Sequence, residues 1–168
     1  MGKFKKPPEF IREYLSYDPE TGIFTWIKRP NPNVPSGTRA GSVNPDTGYR
    51  LIHFKRVNYT CGRLAWFFAH GESPDRLIDH INGDRDDNRI ANLRPATYLQ
   101  NSANQKGWSR LDLPKGVSRI KSRKKPYCAK LRIGGAIRYV GYFATAEEAH
   151  AAYCRAAVEH FGEFARFE

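Results

Sequence analysis

The chain has 168 residues, of which 40% are hydrophobic and 13% aromatic, enough to build one ordinary core or two small ones. Its 28 Lys and Arg against 17 Asp and Glu leave a net charge of +11, which points to a polyanionic partner, nucleic acid first. No apolar run reaches the roughly eighteen residues of a membrane helix, and Lys3, Lys5 and Lys6 are followed by no apolar stretch, so neither a membrane span nor a secretory leader is expected.

In chain order, the first third reads as β-structure with turns. Asp18-Pro19-Glu20-Thr21-Gly22 precedes the β-rich run Ile23–Trp26, and Asn44-Pro45-Asp46-Thr47-Gly48 precedes Tyr49–Ile52. Between them, Arg29–Arg39 is a surface loop, because Pro30, Pro32 and Pro35 forbid helix. Arg63–His70 is a short buried helix closed by Gly71. Arg76–His80 is a strand, Asn82-Gly83 a tight turn, and a charged loop runs to Asn88. Asn92–Arg94 resumes the strand, and Thr97 with Gln100 caps a helix over about Tyr98–Gln105. Lys106–Pro114 is a polar linker. The last third holds strands at Gly116–Ile120, Tyr127–Ile133 and Ile137–Phe143, the latter two joined by Gly134-Gly135. A helix from Thr145 follows, with Glu148 completing a capping box, and Gly162 ends it. Its apolar face, Ala149, Ala152, Tyr153, Ala156, Ala157 and Phe161, is mostly alanine and must lie close to its sheet.

The charge is uneven. Residues 106–168 carry 13 basic and 6 acidic side chains, whereas residues 1–105 carry 15 and 11. From Lys106 to Arg138 a single acid, Asp112, stands among 11 basic residues that alternate with apolar and aromatic ones, the signature of a folded basic face. Cys61, Cys128 and Cys154 lie too far apart for a CxxC zinc site or a disulfide framework, so the expectation is a reducing, cytoplasmic compartment and no structural zinc.

The chemistry-bearing cluster is Asp79-His80, Asn92 and Asn101. Asp79 and Asn101 offer oxygen to a hard divalent cation, and a neighbouring His can act as base near neutral pH. Strand neighbours point to opposite faces, so Asp79 and His80 share a site only if the strand ends there, as Asn82-Gly83 suggests. Asn92 could accept a hydrogen bond from His80 and hold its tautomer. By composition alone, a lone His in a polar loop is more often a surface or capping residue.

The stretches Ile78-Asp79-His80-Ile81-Asn82-Gly83-Asp84, Asp87-Asn88-Arg89-Ile90-Ala91-Asn92-Leu93-Arg94 and Gln100-Asn101-Ser102-Ala103-Asn104 resemble the HNH nuclease motif. The subgroup is that of phage-encoded and homing endonucleases, whose amino-terminal region Tyr17–Trp26, Gly48-Tyr49-Arg50 and Arg63-Leu64-Ala65-Trp66 also resemble. The resemblance implies a ββα-metal unit, with Asp79 and Asn101 as metal ligands, His80 as general base and Asn92 orienting His80 or the scissile phosphate. The implied cofactor is a divalent metal, magnesium first, and the substrate double-stranded DNA in a bacterial or phage-infected cell. Gly62 stands where relatives often have His, and Pro95 where many have Trp.

Lys115–Arg119, Tyr127–Arg132, Tyr139–Phe143 and Thr145–Ala149, with Ala152-Tyr153 and Ala156-Ala157, resemble the DNA-binding domain of APETALA/ethylene-response factors. That resemblance implies a three-stranded antiparallel sheet packed on one helix, with the sheet in the major groove. Arg119, Lys121, Tyr127, Lys130, Arg132 and Tyr139 would then face DNA, Arg119 and Arg132 reading bases and the lysines phosphate. Tyr127 and Tyr139 replace the usual Trp, Lys130 a common Glu and Ile137 a frequent Arg, so the plant target sequence does not carry over.

The expected architecture is thus α+β. An HNH endonuclease domain spans 1–105 with its core at 76–105, a linker 106–114, and the sheet domain 115–168. The expected activity is metal-dependent DNA cleavage by a monomer. The alternatives are a DNA-binding regulator with an inactive nuclease half and an RNA-binding or RNA-cleaving protein.

Overall fold

A computed structural model describes residues 5–106, 113–121 and 124–168. Most of the expected linker, including Gly107, Trp108 and Leu111, lies outside them. The described chain is mixed α and β with four small sheets, and it divides into two units, residues 1–95 and 96–168.

In the first unit a 3-10 turn over Glu9–Glu13 leads into strand β1 (Leu15–Tyr17), which pairs antiparallel with β2 (Phe24–Trp26). A meander follows, β3 (Ser42–Val43), β4 (Arg50–Phe54) and β5 (Val57–Thr60). Helix α1 (Cys61–His70) starts two residues before the expected span and ends at Gly71, whose φ of +79° only glycine adopts without strain. Strand β6 (Leu77–His80) pairs with β7 (Leu93–Ala96). The core gathers Ile11, Leu15, Phe24, Ile52, Leu64 and Phe67, each no more than 1% exposed. Arg12 closes the carboxyl end of α1. Its guanidinium donates to the Phe67 and Phe68 carbonyls at 2.7 and 3.3 Å and lies on both rings.

The two Pro-Thr-Gly turns adopt one geometry. Asp18 N–H donates to the Ile23 carbonyl and Gly22 N–H to the Asp18 carbonyl, and Asn44, Tyr49 and Gly48 repeat both bonds. In each, the first side chain accepts a backbone N–H two residues on, the Asx arrangement. Both turns brace the loop between β6 and β7. The Pro19 carbonyl accepts the Ile90 N–H, the Tyr17 hydroxyl donates to the Asn88 carbonyl at 2.8 Å, and the Thr47 carbonyl accepts from Arg85.

In the second unit, α2 (Tyr98–Ala103) carries the expected reciprocal cap between Thr97 and Gln100. The Lys115 ammonium donates to the last carbonyls of this helix segment, Ala103 at 2.9 Å and Gln105. Burial, with the Arg166 charge nearby, pulls Lys115 down to about 8. Strands β8 (Val117–Arg119), β9 (Tyr127–Ile133) and β10 (Ala136–Phe143) form an antiparallel sheet in the order β10-β9-β8. Helix α3 (Ala146–Phe161) packs on it. Thr145 accepts the Glu148 N–H as expected, but the Glu148 carboxylate reaches the Ala144 N–H instead of that of Thr145. The alanine face brings the helix close, and a Cβ on Gly116 would stand 2.0 Å from the Tyr153 ring.

Gly22 has a φ of +71°, and a Cβ there would lie 2.4–2.5 Å from the Arg89 and Asn88 backbone. Gly22→Ala should therefore cost about 2–4 kcal/mol, combining left-handed strain with overpacking. Chemical denaturation would read this as a fall in midpoint, and a loss within error would mean the turn does not bear on the loop.

Candidate functional site

The loop from Ile81 to Asn92 has little apolar content, so its shape is set by hydrogen bonds. The Asn92 side chain accepts the Asn82 N–H at 3.0 Å and donates to the Asp87 carbonyl at 2.8 Å. The Asn82 amide donates to Asp87, and its oxygen accepts the Asp84 N–H. The Arg89 guanidinium grips the same Asp87 carboxylate at 2.8 and 2.6 Å, the main reason its pKa falls to about 2. From outside the loop, Arg50 clamps Asp86 bidentately at 2.8 and 2.9 Å while donating to the Gly41 carbonyl.

His80 ends β6 and is 4% exposed. Its Nε2 lies 3.3 Å from the Asn88 Oδ1. The Asn88 side chain is itself 2% exposed, and its Nδ2 donates to the Asp86 carbonyl at 2.9 Å, which turns its oxygen toward the imidazole. An oxygen accepts, so the proton sits on Nε2 and Nδ1 carries the lone pair. Burial lowers the His80 pKa below the ordinary 6.5, against the opposing pull of Asn88 and of Asp79, Asp87 and Asp84. Tyr49 stands beside it with ring centroids 5.7 Å apart, and Gly62 of α1 abuts its other edge.

The expected hydrogen bond from His80 to Asn92 is replaced by one to Asn88. Both amide groups of Asn92 are engaged by the loop, which corrects its expected role as the residue orienting His80. The signal for Asn88 was present as an Asn in the quoted motif, but only the loop's fold shows which Asn reaches the ring. Asp79 is 4% exposed, and its Oδ2 accepts from Arg94 Nε at 3.0 Å. Asn101 sits on α2, in the second unit. Carboxylate and amide oxygens suit a hard cation, and no group of three or more His, Cys, Asp or Glu that could hold a metal exists among the described residues.

On the second unit's sheet, register separates the expected DNA-facing residues. Lys130 pairs with Tyr139 and Arg132 with Ile137, which puts these four side chains on one face. Tyr139 is 65% exposed there. Arg119 pairs with Tyr127, on the parity of Val117, Ala129 and Leu131, the helix-packed side. Tyr127 packs partly against that core, and Arg119 is exposed at its margin with its guanidinium 6.0 Å from the Tyr127 ring. The expectation that both share the face of Arg132 is thus corrected. Ser118, paired with Cys128, holds the outer position beside Lys130. Lys121 is exposed just beyond β8. The register shifts between Tyr139 and Gly141, which returns Phe143 to the core side.

Against known proteins, residues 61–103 match the family model of HNH endonuclease. No curated protein and no solved structure gives a match. The matched segment runs from α1 through β6, the loop and β7 to α2, and it contains Asp79, His80, Asn88, Asn92 and Asn101. The match supports an HNH endonuclease domain over these residues and suggests a nuclease. No helix among the described residues is long and apolar enough to cross a membrane.

The lowered His80 pKa has a definite sign for stability. As pH falls, the unfolded chain takes up the His80 proton first, near 6.5, so the contribution is complete above that value and is lost through the lower folded value. Imidazole NMR titration of the metal-free protein should place the His80 midpoint below 6.5. Denaturation at pH 7.5 and 5.5 should show a smaller pH-dependent loss for His80→Gln than for the wild type. A midpoint above 6.5 would contradict the burial argument.

Proposed function

We propose that the protein is a metal-dependent DNA endonuclease of the phage or homing type, in which the first module cuts and the carboxyl-terminal sheet binds the duplex. The observation that carries the reading is a buried His80 whose Nε2 lies against the Asn88 Oδ1, inside the segment matched by the HNH endonuclease model. The His80 imidazole removes a proton from water, the water oxygen attacks the phosphorus, and the bond to the 3′ oxygen breaks, the departing oxygen taking its proton from solvent. Asp79 and Asn101 are the proposed oxygen ligands of a divalent cation, magnesium by analogy. When bound, that cation stabilises charge on the phosphate and the leaving oxygen. Asn92 holds the loop that carries Asn88. The second unit is read as an APETALA/ethylene-response-factor-like domain in which Arg132 contacts base edges, Lys130 and Lys121 contact phosphate and Tyr139 packs against the groove.

His80→Ala should reduce single-turnover cleavage by about 10²–10⁴-fold and leave duplex affinity nearly unchanged, because affinity arises from phosphate contacts elsewhere. Cleavage of linear duplex and gel-shift on the same substrate would measure both, and wild-type cutting by the variant would remove His80 from the mechanism. EDTA should abolish cleavage and added magnesium restore it.

Arg132→Ala should cost about 1–3 kcal/mol on the target duplex and much less on a scrambled one, whereas Lys130→Ala should weaken both alike. Competition binding at two salt concentrations distinguishes them, and equal losses for Arg132→Ala would exclude base reading by that residue.

The Asp79–Arg94 ion pair favours a second reading, a DNA-binding regulator without cleavage, since a guanidinium occupies part of the proposed ligand's capacity. Magnesium-dependent nicking of supercoiled plasmid decides between the two.

A further inference from the structure

A cavity of about 180 Å3 opens beside His80, lined by Tyr49, Thr60, Gly62, Arg63, Leu77 and Ile78. Its lining defines what it can hold. Leu77 and Ile78 contribute apolar lining, and the Tyr49 and His80 rings, tilted 52° to one another, add aromatic surface. Thr60 is the polar residue of the lining beside Arg63, whose guanidinium is fixed by bonds to the Arg76 and Pro74 carbonyls at 2.7 and 2.5 Å. An apolar cavity of roughly 150 Å3 is enough to hold benzene, so this one accepts a single planar ring system with polar atoms at its edge.

Gly62 helps keep this space. It stands inside the first turn of α1, where glycine costs about 1 kcal/mol relative to alanine. Its φ is ordinary, so no backbone requirement explains it. A Cβ at this position would lie 3.2 Å from His80 Cε1 and 3.4 Å from both His80 Nε2 and Asn88 Oδ1. Any side chain there would press on the imidazole and begin to fill the cavity.

We infer that this cavity receives a nucleobase, that of a nucleotide next to the scissile phosphate, turned out of the duplex beside the proposed base. The inference rests on the endonuclease reading and adds a substrate contact to it. A ring seated against Tyr49 would fix the sugar–phosphate position relative to His80, and unstacking one base is an accessible cost of a few kcal/mol. Such a contact is tolerant of base identity, because every base presents an aromatic face.

The test uses the full chain in EDTA and duplexes with 2-aminopurine placed in turn at the positions flanking the mapped cleavage site. One position should brighten several-fold on binding. Leu77→Phe and, independently, Thr60→Leu add bulk to the lining, and each should abolish the rise while gel-shift affinity persists. In magnesium both variants should cut slowly, and an abasic sugar at the brightening position should restore their rate. Binding and cleavage with no brightening anywhere, or brightening undiminished in both variants, would overturn the inference and leave the endonuclease reading standing. Absence of cleavage by the wild type would sink both.

Discussion

The hydrogen bond between two buried side chains, His80 and Asn88, is the constraint around which the first unit is organised. Without it the Asn88 amide oxygen would lose its bond to the ring while buried, and an unpaired polar group away from water costs about 1–3 kcal/mol. Asn88 reaches the ring only if the loop folds back on itself, which explains the density of side-chain bonds in residues 82–92. Asn82, Asp87, Asn92 and Arg89 tie the loop internally, and Arg50, Tyr17 and the two turns hold it from outside. The position of one imidazole thus depends on residues drawn from most of the first unit.

Elements whose signal is local were legible in the sequence. The Thr97–Gln100 cap, the Gly71 stop, the Gly134-Gly135 hairpin and the alanine face of α3 each follow from a few adjacent residues, and each is present. The 3-10 turn at Glu9–Glu13 and the short strands β1 and β5 were not, since three- and four-residue strands carry little periodicity and are stabilised by the core they pack on. Within the site, the residue types were legible and their pairing was not. Asn88 and Asn92 are both asparagines in one polar loop, and sequence spacing does not say which amide meets the ring. The sheet shows the same limit. Charge marks Arg119 as exposed, but the face is decided by register, and one residue of offset separates it from Ser118.

The two units carry different physical burdens. The first devotes its polar groups to internal order, with Arg50, Arg89 and Arg94 all neutralised by carboxylates. The second keeps Lys130, Arg132 and the exposed Tyr139 on an outward sheet face whose opposite side is closed by α3. Polar order around the loop of the first unit and an outward cationic face on the sheet of the second are the two features on which the proposed division between cutting and DNA binding rests.

The twin turns at Asp18–Gly22 and Asn44–Gly48 have a consequence for how portable the motif is. The segment recognisable as a nuclease begins at Cys61, yet Tyr17, Gly22, Gly41, Thr47 and Arg50 all lie before it and all touch its loop or the clamp that holds it. A graft of that segment onto another scaffold would carry the chemical groups without their supports. Its loop would then sample many shapes, and the imidazole would lose the fixed tautomer that the parent protein imposes. Any transplant therefore has to start at or before β1, which makes the inconspicuous amino-terminal sixty residues an inseparable part of the module that holds the matched segment.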